Sequence, residues 1–290
     1  MTLPELLLST SANQTWQFSG LDHINNCLDK DHFLSYPYDI IYKYNSRGFR
    51  DQEWPISESD LRNSIWCVGD SFTVGLGSPR EHTWPFLLQQ QTNTRTINIS
   101  MDGASNEWIS RQVQLILSLH KPGTIVIQWS YIHRRERNIE SVIEERWKQF
   151  YNRIKDSTWP DQILYQQRHL LPLVIQHEIE NDHDSQSVTQ IIDENRRLYS
   201  VNSTDEQDIN NLIDCVNSVE NIKNSTVLIH SFVPGFISAA LHNNFFDRWP
   251  TDPTYCIEQF PILDLARDGH HYDLLTADNL VKDKILHRLR

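Results

Sequence analysis

Ser71 stands in a glycine-rich turn, Gly69-Asp70-Ser71-Phe72-Thr73-Val74-Gly75-Leu76-Gly77, directly after the apolar run Ser64-Ile65-Trp66-Cys67-Val68. A strand that ends in such a turn and passes into a helix is how α/β enzymes expose a nucleophile, and equally how they cradle an anion. A serine hydroxyl becomes a competent nucleophile only when a base removes its proton, and near neutral pH that base is usually histidine. The histidine in turn needs a carboxylate to hold its tautomer and stabilise imidazolium. Asp268-Gly269-His270-His271 offers both groups from one loop, with His271 three residues after Asp268. His270 is a rival base, and Asp264 and Asp273 are weaker candidates for the acid. Thirteen histidines in the chain make an exposed loop histidine the plainer reading of any single one.

The elements that would position these groups alternate between strand and helix from residue 61 onward. A strand at 64–69 leads into the Ser71 turn, and a helix at 83–91 has Thr83 as its N-cap and Pro85 in its first turn. Thr96-Ile97-Asn98-Ile99 reads as a short strand before the turn 100–106. The helix 106–119 carries Ile109, Val113, Ile116 and Leu117 at helical spacing and is broken by Pro122-Gly123. Thr124-Ile125-Val126-Ile127-Gln128-Trp129-Ser130 reads as a buried central strand. Helices at 138–156, 186–199 and 205–221, a strand at 226–230, an irregular aromatic-rich stretch at 236–262 and a last amphipathic helix at 276–289 follow. This alternation predicts a parallel sheet covered on both faces, with a site at the C-terminal ends of the strands. The loops 69–77, 100–106 and 130–137 meet that criterion, and 264–273 joins them. Residues 1–60 read as an N-terminal extension packed on the core. Residues 61–290 read as the main domain, with a helical insertion at 157–222.

Within the extension, Tyr44-Asn45-Ser46-Arg47-Gly48-Phe49-Arg50-Asp51 reads as a surface turn docked by Phe49, although its arginines could reach a carboxylate. A formal net charge of −12 argues against a nucleic-acid partner and against docking on anionic membranes. Four scattered cysteines without CxxC pairs suit reduced thiols, and the N-terminus is a poor signal peptide, so an intracellular, cytoplasmic location is expected. His177-Glu178 and His183-Asp184 lack metal-ligand spacing and read as surface.

Taken together, Gly69-Asp70-Ser71-Phe72-Thr73 resembles the first sequence block of the SGNH/GDSL hydrolases, and Asp268-Gly269-His270-His271 resembles their C-terminal DxxH block. Gly103 sits where that family has its oxyanion-hole glycine, and Asn45-Ser46-Arg47-Gly48-Phe49-Arg50 resembles a segment that often precedes GDS in bacterial and phage members. The resemblance spans about 45–273 in the right order. It implies a flavodoxin-like, three-layer α/β/α sandwich with a mainly parallel central sheet. Ser71 would be the nucleophile, His271 the base and Asp268 the orienting acid, with Ser71 and Gly103 N–H groups binding the oxyanion. It also implies no cofactor, no metal, and a small-molecule or carbohydrate ester as the partner of the site.

This chain departs from the family after the third strand, where members carry a GxND segment whose Asn is a further oxyanion donor. Here the strand ends Gln128-Trp129-Ser130-Tyr131-Ile132-His133-Arg134-Arg135-Glu136. Ser130, Gln128 and Asn106 are the candidates to replace that donor. Trp129, Arg134 and Arg135 are candidates to bind substrate, the tryptophan by stacking on a sugar face. The expected activity is hydrolysis of an O-acyl ester through an acyl-enzyme. An O-acyltransferase with the same triad, or a non-catalytic carbohydrate-binding or structural module, are the alternatives.

Overall fold

The computed structural model describes residues 6, 8, 11–132, 134 and 204–289. The chain divides into two units, Met1–Glu136 with Ile209–Arg290, and Arg137–Asp208; the described residues fall almost entirely in the first. The helices expected at 138–156 and 186–199, the pairs His177-Glu178 and His183-Asp184, and Arg135 lie outside the described residues.

Two short strands, β1 (Thr15–Trp16) and β2 (Tyr42–Lys43), pair antiparallel in the N-terminal segment. The central sheet is built from β3 (Ile65–Gly69), β4 (Thr96–Ser100), β5 (Thr124–Trp129), β6 (Val227–Phe232) and β7 (Cys256–Ile257), in the spatial order β4-β3-β5-β6-β7. Every pairing in it is parallel. β3 is buried along its whole length and β5 from Ile125 onward, which is why both read as continuous apolar runs rather than alternating ones.

Eight α-helices occur among the described residues: α1 (Lys30–Ser35), α2 (Glu58–Asn63), α3 (Ser71–Val74), α4 (Trp84–Thr92), α5 (Asn106–Leu119), α6 (Asp205–Glu220), α7 (Ala239–Phe246) and α8 (Leu274–Asn279). Parallel strands need crossovers, and right-handed crossovers from β3 outward to β4 and from β4 back to β5 leave their helices on opposite faces. Accordingly α4 packs with α8 on one side, while α5 and α6 meet on the other through Ser110 Oγ and Ser218 Oγ, 2.7 Å apart. The result is a three-layer α/β/α sandwich.

The structure differs from the sequence reading in four places. Helix 205–221, expected inside an insertion ending at 222, turns Ile209, Leu212, Val216 and Val219 into the core. The stretch 236–262 contains α7 and β7; the latter is two residues long and exists only through its pairing with His230 and Ser231. The last helix starts at Leu274 because Asp264 accepts from the Leu275 and Thr276 N–H groups, and it continues as a π turn over Leu280–Ile285. Thr83 sits at the N-cap position of α4, but its hydroxyl donates to Arg80 O rather than capping the helix. Among the described residues no helix is long and apolar enough to cross a membrane.

Candidate active site

In-register pairing brings the C-terminal ends of β3, β4 and β5 side by side, with Gly69 opposite Ser100 and Val68 opposite Ile127. Ser71 therefore begins its turn at the sheet edge where the next two loops also emerge. Asp70 is the N-cap of α3, and its Oδ1 accepts from Phe72 N at 3.0 Å. Gly69 is glycine for lack of room: a Cβ there would lie 2.1 Å from Thr73 Oγ1. Gly75, at φ +75°, closes the turn and donates to Ser71 O.

Arg50 holds the far side of the same turn. It is 2% exposed, donates through Nη1 to Val74 O (3.2 Å) and Gly75 O (2.5 Å) and through Nη2 to Ser78 O (2.8 Å), and lies over the Tyr42 ring. The segment read as a surface turn thus delivers a buried guanidinium to main-chain carbonyls, not to a carboxylate. Five fixed donors make arginine suited to tying several carbonyls at once.

The groups proposed from sequence as a triad meet across 200 positions of chain. Ser71 Oγ lies 2.8 Å from His271 Nε2, and His271 Nδ1 lies 2.5 Å from Asp268 Oδ2. Asp268 also accepts the His270 and His271 N–H groups on Oδ1, at 2.9 and 3.0 Å. A carboxylate can only accept, so Nδ1 carries the proton and Nε2 is left to accept from the serine hydroxyl. Burial works against charge on both partners. Even so, the Asp268 carboxylate, with Asp102 and Asp70 behind it, holds the His271 imidazole above its ordinary value. The His271 charge and the three hydrogen bonds it receives keep Asp268 below the usual carboxylate range despite its burial. The Phe72 ring packs edge-on against His271 at 4.5 Å and fixes its plane.

The N-terminal segment clamps the loop that carries Asp268 and His271. Arg267 Nε and Nη2 donate to the two Asp22 oxygens at 2.7 and 2.6 Å; Tyr42 donates to Asp22 as well, and its own hydroxyl accepts from Gly77 N. Leu28 N donates to Asp268 O, and the His32 ring bonds Ala266 O at 2.8 Å. The rival groups have other partners. His270 donates through its backbone to Asp268, Asp264 caps α8, and Asp273 accepts from Tyr36 and pairs with His82 at 2.7 Å.

Of the residues around the oxyanion, Gly103 adopts φ +72°, and its N–H has no acceptor among the described residues. Met101 N donates to Gly69 O at 3.3 Å, which ties this loop to the strand end before Ser71. Gln128 is fully buried between Thr73 Oγ1 (3.0 Å) and Tyr272 OH (3.1 Å), so it is not a replacement donor. Asn106 spends its amide on Ser130 N, Ser130 O and Tyr131 O and fixes the loop after β5. Ser130 Oγ donates to Asp70 Oδ2 at 2.6 Å. Trp129 is wholly buried and donates to His230 Nδ1 at 3.1 Å, which excludes it from stacking on a substrate. Arg134 reaches Asp70 Oδ2 at 2.8 Å. Sequence reasoning missed Asp22, Arg267 and the partly buried Asp102, whose carboxyl is pushed up by burial, with Asp70 and Asp268 adding to the shift. No periodicity or spacing marks any of these three.

No family model and no curated protein matches the sequence. Among solved structures, TesA is similar at 14% identity, covering 77% of this chain and 97% of its own, with a TM-score of 0.42. The psychrotrophic esterase EstA from Pseudoalteromonas sp., inhibited by monoethylphosphonate, is 12% identical over 78% of this chain and 96% of its own, at 0.41. A protein assigned to the lipolytic G-D-S-L family, from Desulfitobacterium hafniense DCB-2, is 13% identical over 79% and 99%, at 0.32.

Proposed function

We propose that this chain is a serine hydrolase of the SGNH type that cleaves an O-acyl ester, small or carbohydrate-linked, through an acyl-enzyme. The observation that carries the reading is the hydrogen-bonded series from Ser71 Oγ through His271 to Asp268. As Ser71 Oγ attacks the ester carbonyl, its proton passes to His271 Nε2, and the imidazolium is stabilised by Asp268. The carbonyl oxygen becomes an oxyanion against the N–H groups of Ser71 and Gly103, and loss of one such donor typically costs about 3 kcal/mol. The tetrahedral intermediate collapses, the alcohol leaves with the proton from Nε2, and the acyl group stays on Oγ. Water, deprotonated by the same nitrogen, then releases the carboxylic acid.

The test is hydrolysis of acetyl and butyryl esters by wild type, Ser71→Ala and His271→Ala, with a fluorophosphonate probe as an independent report on Ser71. Wild type should turn over and label; each variant should lose about 10³-fold or more in kcat. Unchanged turnover in Ser71→Ala would refute the assignment. Carrying out the reaction with an added alcohol acceptor separates hydrolysis from acyl transfer.

A further inference from the structure

The Asp70 carboxylate, adjacent in sequence to the nucleophile, is wholly buried. Its Oδ1 caps the turn, while Oδ2 takes two donors from the loop after β5: Ser130 Oγ at 2.6 Å and Arg134 Nη1 at 2.8 Å. Arg134 Nη1 also donates to Ser130 Oγ at 2.9 Å, and its guanidinium lies 5.0 Å from the Tyr131 ring centroid. With 16% of its side chain exposed, Arg134 reaches from the buried carboxylate toward solvent. A buried carboxylate left without its cation projects its field strongly, because little solvent screens it.

That field falls on the reacting atoms. The developing oxyanion would rest on the N–H of Ser71, one peptide from Asp70, where an uncompensated negative charge opposes it. His271 faces the same charge, along with Asp268, Asp102 and the neighbouring His270. Tyr131 and Tyr272 are the other titratable side chains near Asp70, and burial together with that carboxylate pushes both phenols up. We infer that Arg134 is a positioning and charge-compensating residue of the nucleophile turn, which cancels the Asp70 charge so that neither the oxyanion nor the His271 imidazole feels it in full. A charged pair thus stands at the strand end where the chain lacks an asparagine. This inference rests on the reading of Ser71, His271 and Asp268 as a catalytic triad.

Two measurements test it together: an NMR titration of the His271 ring, which needs no turnover, and the pH profile of kcat/KM. Arg134→Gln removes the cation that faces Asp70, which favours imidazolium. The His271 midpoint and the acid limb should therefore move up by about 0.5–1 pH unit, with a fall in kcat. Arg134→Lys should keep the wild-type midpoint. Asp70→Asn leaves the guanidinium uncompensated and should move the midpoint down, and the double variant should return close to wild type. An Arg134 that merely supports the fold would lower Tm in Arg134→Gln without moving the midpoint, and that result overturns the inference. If Arg134→Gln does not fold, an unmoved or raised midpoint in Asp70→Asn overturns it instead. A wild-type protein without ester turnover would remove the hydrolase reading, yet the NMR titration would still decide the charge pair.

Discussion

Arg267 and Asp22, 245 positions apart, form a two-pronged ion pair that ties the N-terminal segment to the residue immediately before Asp268. Both oxygens of Asp22 are used by Arg267, and Oδ2 also accepts from Tyr42 at 2.6 Å. Asp22→Ala leaves a guanidinium and a phenol without their acceptor in the interior. The variant should lose about 3 kcal/mol in urea unfolding, and its kcat should fall further than its KM changes, because the loop carrying the acid and the base is loosened.

Gly77 lies at φ +75° beneath the same loop, and a Cβ there would stand 2.8 Å from Ala266 Cβ and 3.0 Å from Asp268 Cγ. Gly77→Ala combines an unfavourable backbone region with pressure on the acid of the triad. A loss of about 2 kcal/mol is expected, together with a lower kcat. Wild-type kcat in a folded Gly77→Ala protein would show that Asp268 tolerates the displacement.

Because the base must be neutral to accept the serine proton, kcat/KM should rise with pH as His271 loses its own. The Asp268 carboxylate holds that imidazole high against burial, so the midpoint should lie above the ordinary histidine value of 6.5. Asp268→Asn removes this support and the tautomer control; the limb should move down and kcat should fall by about 10⁴-fold.

His230 supplies the opposite sign. It is fully buried, accepts from Trp129 Nε1 on Nδ1 and lies 2.9 Å from Glu220 through Nε2; burial holds it below 6.5, against the pull of Glu220. A depressed folded-state value means the unfolded chain binds the proton first. The stability from this group is thus present above 6.5 and lost as pH falls through the folded value. Wild-type Tm should therefore drop more steeply than that of His230→Gln between about pH 7 and about pH 5. Parallel curves would show that His230 does not titrate on unfolding.

Trp129 belongs to the same buried group. Trp129→Phe should cost about 1 kcal/mol in stability through the lost indole hydrogen bond and leave KM unchanged, as expected of a side chain that no substrate touches.

The amino-acid order alone determined which residues are the candidates for the chemistry and where the strands and their turns fall. Ser71 announces itself by its glycine-rich turn, Asp268 and His271 by type and their three-residue spacing, and β3, β4 and β5 by apolar runs ending in small or turn residues, because these signals are local. Tertiary structure decided what the polar residues between them do. Gln128, Trp129 and Asn106 looked available for substrate or oxyanion, yet the register of β5 and the packing of α5 turn all three inward onto Thr73, His230 and Ser130. Arg50 lay in what read as a surface turn, Arg134 was a candidate to bind substrate and Arg267 carried no signal, yet each is drawn inward to carbonyls or to a carboxylate distant in sequence. A buried polar side chain is defined by the partner that satisfies it. Here those partners lie 24 to 245 positions away, a distance no local pattern encodes and only the closed α/β/α sandwich spans.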